Sequence, residues 1–111
     1  MLAKKYRFHS RGGVRYTYKH GTVVRQPKIS LTFNHNSRGK QRFAVVVSKK
    51  VLKSAVARNR IRRRVYEAIR EQLPSLKSPN DHIFTIYSKD IKDISFSELQ
   101  AIISDLLNQS N

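Results

Sequence analysis

Apolar residues recur in four short stretches of the chain, and their spacing predicts β-strands. Over residues 29–33 they alternate with polar neighbours, as in a strand with one buried face. Residues 43–47 form a continuous apolar run rich in valine, which is typical of a central strand covered on both faces. Residues 83–87 give a third strand. Residues 22–24 predict the start of a further one, which Pro27 ends.

Apolar residues at helical spacing predict three helices. The first covers residues 12–19 and stops at Gly21. The central helix extends from about residue 55 to residue 73, where Pro74 ends it. The last helix begins with a capping box at residues 95–98, Ser-Phe-Ser-Glu, and carries one apolar face that we interpret as core packing.

These elements predict one α/β sandwich in the order α-β-β-β-α-β-α, with a mixed sheet of about four strands and three helices. At 111 residues the chain is long enough for one modest core. Residues 1–11 are basic and irregular, so we expect a flexible basic arm there. Residues 12–111 would form a single domain.

Charge is distributed very unevenly along the chain. Residues 1–66 contain 19 Lys/Arg and no Asp or Glu, whereas residues 67–111 contain 4 Lys/Arg and 7 acids, so the two parts carry +19 and −3. A solvated surface normally mixes both signs. Such a concentration of positive charge favours a polyanionic partner.

The central helix carries most of this chemistry. Residues 49–70 hold nine basic residues and one acid, Glu67. On a helical wheel Arg58 and Arg62 border the apolar stripe on one side, and Arg60 and Arg64 border it on the other. Arginine suits phosphate because its planar fork donates two parallel hydrogen bonds. A solvated run of charges explains neither the arginine bias nor the missing acids.

Aromatic residues are interleaved with positive charge in the first third of the chain. Proteins often bind single-stranded nucleic acid in this way: the bases stack on aromatic side chains, and basic side chains contact the phosphate backbone. Each ring could equally pack the core or the surface. The rings concerned are Tyr6, Phe8, Tyr16, Tyr18 and Phe33.

Several classes of function are disfavoured. The absence of cysteine excludes disulfides and thiolate zinc sites. Metal-dependent nucleases need clustered carboxylates, which the first 66 residues lack, and the four histidines show no ligand spacing. No apolar run is long enough to span a membrane. We therefore expect a cytoplasmic protein without a catalytic site or metal site of its own.

One motif resembles a known family. Ser48-Lys49-Lys50, followed by Arg58-Asn59-Arg60 on a helix and then by Arg62-Arg63, is similar to the signature of the bacterial ribonuclease P protein component. The turn Tyr18-Lys19-His20-Gly21 also resembles that family. Val14 and Tyr66 depart from it, since many members have phenylalanine and arginine there. The resemblance covers roughly residues 8–107.

The resemblance implies a central helix that crosses between two parallel strands, and a subunit of a ribonucleoprotein whose RNA, with Mg²⁺, removes the 5′ leader of precursor tRNA. Its partners would be the catalytic RNA and precursor tRNA, with one protein monomer per RNA, and the chain alone would be inactive. The residues expected to bind the catalytic RNA are Lys49, Lys50, Lys53, Arg58, Asn59, Arg60, Arg62, Arg63 and Arg64; those expected to line a leader-binding cleft between the first helix and the sheet are Phe8, Arg15, Tyr16, Tyr18 and Phe33.

Two other functions stay open. Basic α/β domains with arms are common among structural ribosomal and other RNA-binding proteins. A DNA-binding regulator would need a recognition helix presented beside a second helix, usually in a dimer. Mixing the chain with a catalytic RNA and precursor tRNA separates the three possibilities.

Overall fold

The computed structural model describes residues 2–8, 11–77 and 79–110, with Arg11 as backbone only. In chain order the main elements are α1 (Arg11–His20), β1 (Thr22–Arg25), β2 (Ile29–His35), β3 (Arg42–Val47), α2 (Ala55–Gln72), β4 (Asn80–Ile86) and α3 (Phe96–Ser110). Short 3₁₀ helices lie at Lys4–Tyr6, Leu73–Ser75 and Lys89–Lys92. The order and number of the predicted helices and strands are confirmed.

The four strands form one mixed sheet in the order β1-β2-β4-β3. β1 pairs with β2, and β2 with β4, in antiparallel fashion, whereas β3 and β4 are parallel. A parallel pair needs a crossover connection, and α2 supplies it. The predicted crossing of the central helix between two parallel strands is therefore confirmed.

Helices cover both faces of the sheet. α2 and α3 bury the main core, which includes Leu31, Phe84 and Ile61, all fully buried. α1 covers the other face, where Val14 packs on a smaller cluster that contains Ala44 and Ile83. The two clusters follow the alternation of side chains along each strand.

Glycine at position 21 is required by a close approach between α1 and β2. A Cβ atom there would lie 2.5 Å from the carbonyl oxygen of Thr17 and 2.7 Å from that of Phe33. The helix therefore ends where the sequence predicted, and it ends for a packing reason.

The prediction that residues 43–47 form a central strand is wrong. β3 lies at the edge of the sheet, and β4 occupies the position beside it toward the centre. The valine-rich run arises because both faces of β3 are covered: Val45 packs in the main core, and Ala44 packs in the smaller cluster. A continuous apolar run indicates that both faces of a strand are covered. It does not indicate how many neighbouring strands pair with that strand.

The N-terminal segment also differs from the expected flexible arm. Within residues 2–8, Leu2 is only 2% exposed in the main core and Phe8 only 5% exposed in the smaller cluster. Arg7 forms a parallel bridge with Phe43, and the Phe8 amide donates to the Phe43 carbonyl at 3.0 Å. This segment therefore packs on the outer edge of β3, and the domain includes it. His9 and Ser10 lie outside the described residues.

Candidate nucleic-acid interface

The helix α2 begins at a hydrogen-bonded cap, since the Ser54 hydroxyl accepts from the Ala57 amide at 3.2 Å. Its inner face is fixed in the core by buried residues that include Ile61, Val65 and Ile69. Because the apolar stripe is anchored, the arginines on its two flanks point in defined directions. The structure separates them into two groups.

The first group lies beside β3 and the N-terminal segment that packs on its outer edge. Arg62 donates to the side-chain oxygen of Asn59 at 2.6 Å. Asn59, Arg62 and Arg63 line a cavity of about 480 Å³ together with Arg7 and Tyr66. Among the lining residues there is no acid. Arg63 is exposed and has no hydrogen-bond or ion-pair partner within the described residues.

Arg7 and Tyr66 form the inner wall of this cavity, and the sequence did not single out either as a site residue. The Arg7 guanidinium lies 5.7 Å from the centre of the Tyr66 ring, and its buried Nε has no hydrogen-bond partner among the residues that the structure describes. The pKa of Tyr66 is raised, mainly by burial, which outweighs the opposing effects of the Val45 backbone, Arg7 and Arg62. The tyrosine therefore stays neutral beneath the arginines. The sequence feature that could have identified Arg7 as a site residue is its place in the long N-terminal stretch that has basic residues and no acids.

The second group of arginines is bound by the protein itself. Arg64 donates to the backbone carbonyls of Ile91 and Ile94, and Arg60 donates to that of Lys92 at 3.3 Å. These carbonyls lie in and just after the 3₁₀ helix Lys89–Lys92. The guanidinium groups of Arg60 and Arg64 thus tie this connection to α2, on the flank opposite to Arg62.

We expect Arg64→Gln to lower the free energy of unfolding by about 1.5–3 kcal/mol, since a charged donor to two carbonyls is removed. The measurement is urea denaturation followed by circular dichroism. Arg63→Gln is the matched control, because its side chain has no such hydrogen bonds to the described residues, and it should change stability by less than about 0.5 kcal/mol. Equal stabilities for the two variants would contradict the structural role of Arg64.

Arg58 has an intermediate position near the start of α2. Its Nη1 donates to the carbonyls of Leu52 at 3.0 Å and of Lys53 at 2.7 Å, and so fixes the connection between β3 and α2. The side chains of Lys49, Lys50 and Lys53 in this connection are exposed and have no ion-pair partner among the described residues. Positive charge is therefore concentrated at the C-terminal end of β3.

The residues predicted to line the leader cleft are only partly brought together. Arg15 is exposed on α1, as are Tyr16 and Tyr18, whose exposed fractions are 59% and 41%. Phe8 is buried on the same face of the sheet, and the Arg42 guanidinium lies 4.7 Å from the centre of its ring. Phe33 packs against the core under α2 and α3. It does not share the α1 face, because its side chain alternates with that of Thr32.

A residue that the sequence did not single out lies beside Tyr18. The Tyr18 hydroxyl is hydrogen-bonded to Thr85 at 2.8 Å, and the Tyr87 hydroxyl to Ser30 at 2.9 Å. Burial raises the pKa of Tyr18. Tyr87 is 49% exposed. It lies two residues after Thr85, and this spacing was the signal that both side chains share one face.

Two further observations bear on the chemistry of the chain. Within residues 2–8, 11–77 and 79–110 there is no group of three or more His, Cys, Asp or Glu side chains suited to hold a metal ion. None of the helices in these ranges is long and apolar enough to cross a membrane.

Comparison with known proteins gives one consistent family. The model of the Ribonuclease P family matches residues 2–111. A ribonuclease P protein component from Chloroflexus aurantiacus is 37% identical over 109 residues, which cover 98% of this chain and 80% of that protein. One from Pseudoalteromonas atlantica is 33% identical, covering 82% of this chain and 74% of that protein.

Solved structures agree on the fold. The RNase P protein from Staphylococcus aureus superimposes with a TM-score of 0.81 at 24% identity, over 96% of this chain and 95% of that chain. The one from Thermotoga maritima gives a TM-score of 0.84 at 21% identity, over 93% and 96% of the two chains. The order of helices and strands is thus shared at low sequence identity.

Proposed function

We propose that this chain, which belongs to the bacterial ribonuclease P protein family, binds the catalytic RNA and the 5′ leader of precursor tRNA through two separate surfaces. Ribonuclease P is a ribonucleoprotein endoribonuclease that acts in tRNA processing. The observation that carries the proposal is the unbalanced charge on one flank of α2. Asn59, Arg62 and Arg63 line a cavity without acids. RNA phosphates are the ligands that would neutralise them.

The surface for the catalytic RNA combines this flank with the end of β3. Its members are Lys49, Lys50, Lys53, Arg58, Asn59, Arg62 and Arg63. The planar guanidinium groups of arginines on a packed helix lose little conformational freedom on binding. The exposed lysines beside them add positive charge on flexible side chains. Arg60 and Arg64 stabilise the connection on the other flank and contribute long-range positive potential.

The surface for the leader is the α1 face of the sheet. Tyr18 and Tyr87 present partly exposed rings there, and Arg15 and Tyr16 are exposed on α1 itself. The hydroxyl of Tyr18 is held by Thr85, which fixes the ring in place. Stacking on such rings tolerates any base, which suits leaders of varied sequence.

Cleavage itself is assigned to the RNA. Among the described residues no group of three or more His, Cys, Asp or Glu side chains is suited to hold a metal ion. We infer that Mg²⁺ is held by the catalytic RNA. The protein would raise affinity for precursor over mature tRNA, because only the precursor has a leader.

The test uses the holoenzyme reconstituted from the full chain and a bacterial catalytic RNA. We expect Tyr18→Ala to raise the Kd for precursor tRNA about 5- to 150-fold, the equivalent of about 1–3 kcal/mol of stacking. The Kd for mature tRNA should stay unchanged. Tyr18→Phe keeps the ring, removes the bond to Thr85, and should have a smaller effect.

Equal weakening of precursor and mature tRNA by Tyr18→Ala would show that the ring stabilises the fold, and would remove the leader surface from the proposal. Precursor-specific cleavage by the RNA-free chain would overturn the assignment of catalysis to RNA.

A further inference from the structure

Arg42 and Asp81 form a largely buried ion pair on the sheet. They lie opposite one another in the parallel register of β3 and β4. Nε and Nη2 of Arg42 donate to the two carboxylate oxygens of Asp81, each at 2.7 Å, and the two side chains are only 16% and 12% exposed. A buried ion pair often stabilises a fold no better than apolar residues of similar volume. The charge of this pair therefore calls for a further reason, and the proposed function gives neither residue a role.

The geometry of the pair is fixed by a third side chain. Asn36 donates from its side-chain nitrogen to Oδ1 of Asp81 at 2.9 Å, so that both carboxylate oxygens accept hydrogen bonds and one of them accepts two. The pKa of Arg42 is raised, chiefly by its hydrogen bonding to Asp81. The guanidinium therefore stays charged, and it cannot turn away without losing two charge-assisted hydrogen bonds.

The fixed guanidinium of Arg42 lies on the ring of Phe8, 4.7 Å from its centre. Phe8 is buried against Ala44 and Ile83, in the smaller cluster under α1. Arg42 and Asp81 each precede one of these two residues by two positions, so their side chains share this face of the sheet. A cation attracts an aromatic ring more strongly where both are shielded from water. Arg42 thus holds Phe8 against the sheet, and Asp81 holds Arg42.

Phe8 in turn fixes Arg7, the residue before it. Within residues 2–8, the only β-bridge to the sheet is that of Arg7 with Phe43, and the Phe8 amide adds one hydrogen bond of 3.0 Å to the Phe43 carbonyl. Few backbone hydrogen bonds give a segment low local stability. The position of Arg7 on β3 therefore depends on the side-chain anchor beside it.

Arg7 faces other positive charges. It lines the cavity beside α2 together with the arginine flank, which we define as Asn59, Arg62 and Arg63. None of the residues that line this cavity is acidic. Like charges around one cavity repel one another, and for Arg7 this repulsion opposes the packing of the N-terminal segment on β3. The contact between Arg42 and Phe8 acts against that repulsion at the neighbouring residue.

We propose that Arg42 and Asp81 are positioning residues of the RNA interface: through Phe8 they keep the N-terminal segment on β3, so that Arg7 faces the same phosphates as the arginine flank. Neither member of the ion pair touches RNA. The inference rests on the proposed function, since it assumes that RNA phosphates occupy the flank. It adds Arg7 to that surface and gives the buried charges a function.

The main test variant is R42Q/D81N, which removes both charges at once and so leaves no unpaired charge in the interior. The matched control is K28Q/D90N, which removes an exposed ion pair of 3.9 Å. Both variants keep the net charge of the natural chain, so the long-range attraction of RNA is the same in each. Each is measured alone and combined with R7Q, using the full chain and fluorescence anisotropy of labelled catalytic RNA.

R42Q/D81N should weaken RNA binding by about 2- to 30-fold, the range that corresponds to the loss of one cation–aromatic contact. R7Q alone should also weaken binding. In the R7Q background R42Q/D81N should have a further effect of less than about twofold, because the residue that the pair positions is gone. K28Q/D90N should leave RNA affinity unchanged in both backgrounds.

Amide hydrogen exchange followed by NMR separates positioning from a general loss of stability. In R42Q/D81N the Phe8 amide should exchange faster, whereas the amides of α3 should exchange as in the natural chain. Phe8→Leu tests the same link if R42Q/D81N does not fold. It keeps an apolar side chain in the cluster but removes the ring on which Arg42 lies, and it should weaken RNA binding in the natural background and not in R7Q.

Unchanged RNA affinity in R7Q, in Phe8→Leu or in folded R42Q/D81N overturns the inference. So does an affinity loss of equal size in the natural and R7Q backgrounds, because the ion pair would then act without Arg7. Failure of the proposed function is distinguished by R62Q/R63Q. If that variant weakens RNA binding and the others do not, only the positioning role is rejected; if it leaves RNA binding unchanged, the proposed function itself fails.

Discussion

The double variant R62Q/R63Q is expected to bind the catalytic RNA about 30- to 20,000-fold more weakly than the natural chain. Each arginine that makes charge-assisted bonds to phosphate contributes about 1–3 kcal/mol, and tenfold in affinity corresponds to about 1.4 kcal/mol. Within the described residues, neither side chain donates to a backbone carbonyl. Their removal should therefore act on the complex and leave the fold intact.

The measurement is fluorescence anisotropy of labelled catalytic RNA at one fixed salt concentration, with the thermal midpoint of each variant recorded by circular dichroism. Arg64→Gln is the matched control on the same helix. It should lower stability and have a smaller effect on affinity than either substitution on the other flank. Equal affinities for R62Q/R63Q and the natural chain, with both folded, would contradict the arginine flank as the RNA contact.

Acid is expected to destabilise the protein by about 3 kcal/mol between pH 7 and pH 4 through His82 alone. This side chain is 1% exposed and its ring stacks on Phe43, with ring centres 4.6 Å apart. Burial lowers the pKa of His82 to about 4 from an ordinary 6.5. The ring is therefore neutral in the folded state at physiological pH.

The direction follows from proton binding in the two states. Between pH 6.5 and 4 the unfolded chain binds a proton at His82 that the folded chain does not bind. Stability is therefore complete above pH 6.5 and decreases as the pH falls, until the folded state also takes up the proton near pH 4.

Urea denaturation at pH 7 and pH 4 measures this difference. His82→Phe keeps an aromatic ring on Phe43 and removes the titrating group, so its stability should decrease much less over the same range. The decrease in stability that remains in His82→Phe is due to protonation of the carboxylates and to the higher net positive charge. An unchanged pH dependence in His82→Phe would show that His82 is not the group responsible.

The sequence by itself determined the features that depend on neighbours along the chain. Helix α3 begins after Ser95, whose hydroxyl accepts from the Glu98 amide at 3.1 Å, as the capping box predicts. α2 ends at Gln72, before Pro74. Caps, prolines and apolar periodicity act within one or two turns, so they can be predicted from local sequence. The motif on α2 also sufficed to identify the family.

Tertiary structure decided the features that depend on contacts between distant segments. β3 lies at the edge of the sheet because β4, almost forty residues later, inserts between β2 and β3. Phe33 lies on the face opposite to α1 because the pairing of β2 with β4 fixes its register. An alternation of apolar and polar residues shows that a strand has two different faces. It does not show the order of the strands in the sheet, or which helix covers which face.

The arginines of α2 could be located from the sequence. Which of them are hydrogen-bonded to the protein's own backbone could not, because that depends on contacts between distant segments. The helical wheel placed Arg60 and Arg64 together on one flank. Only the folded chain brings the carbonyls of Ile91 and Ile94 to that flank. Local sequence thus determined where the positive charge is, and long-range packing determined how much of it remains free of hydrogen bonds to the described backbone.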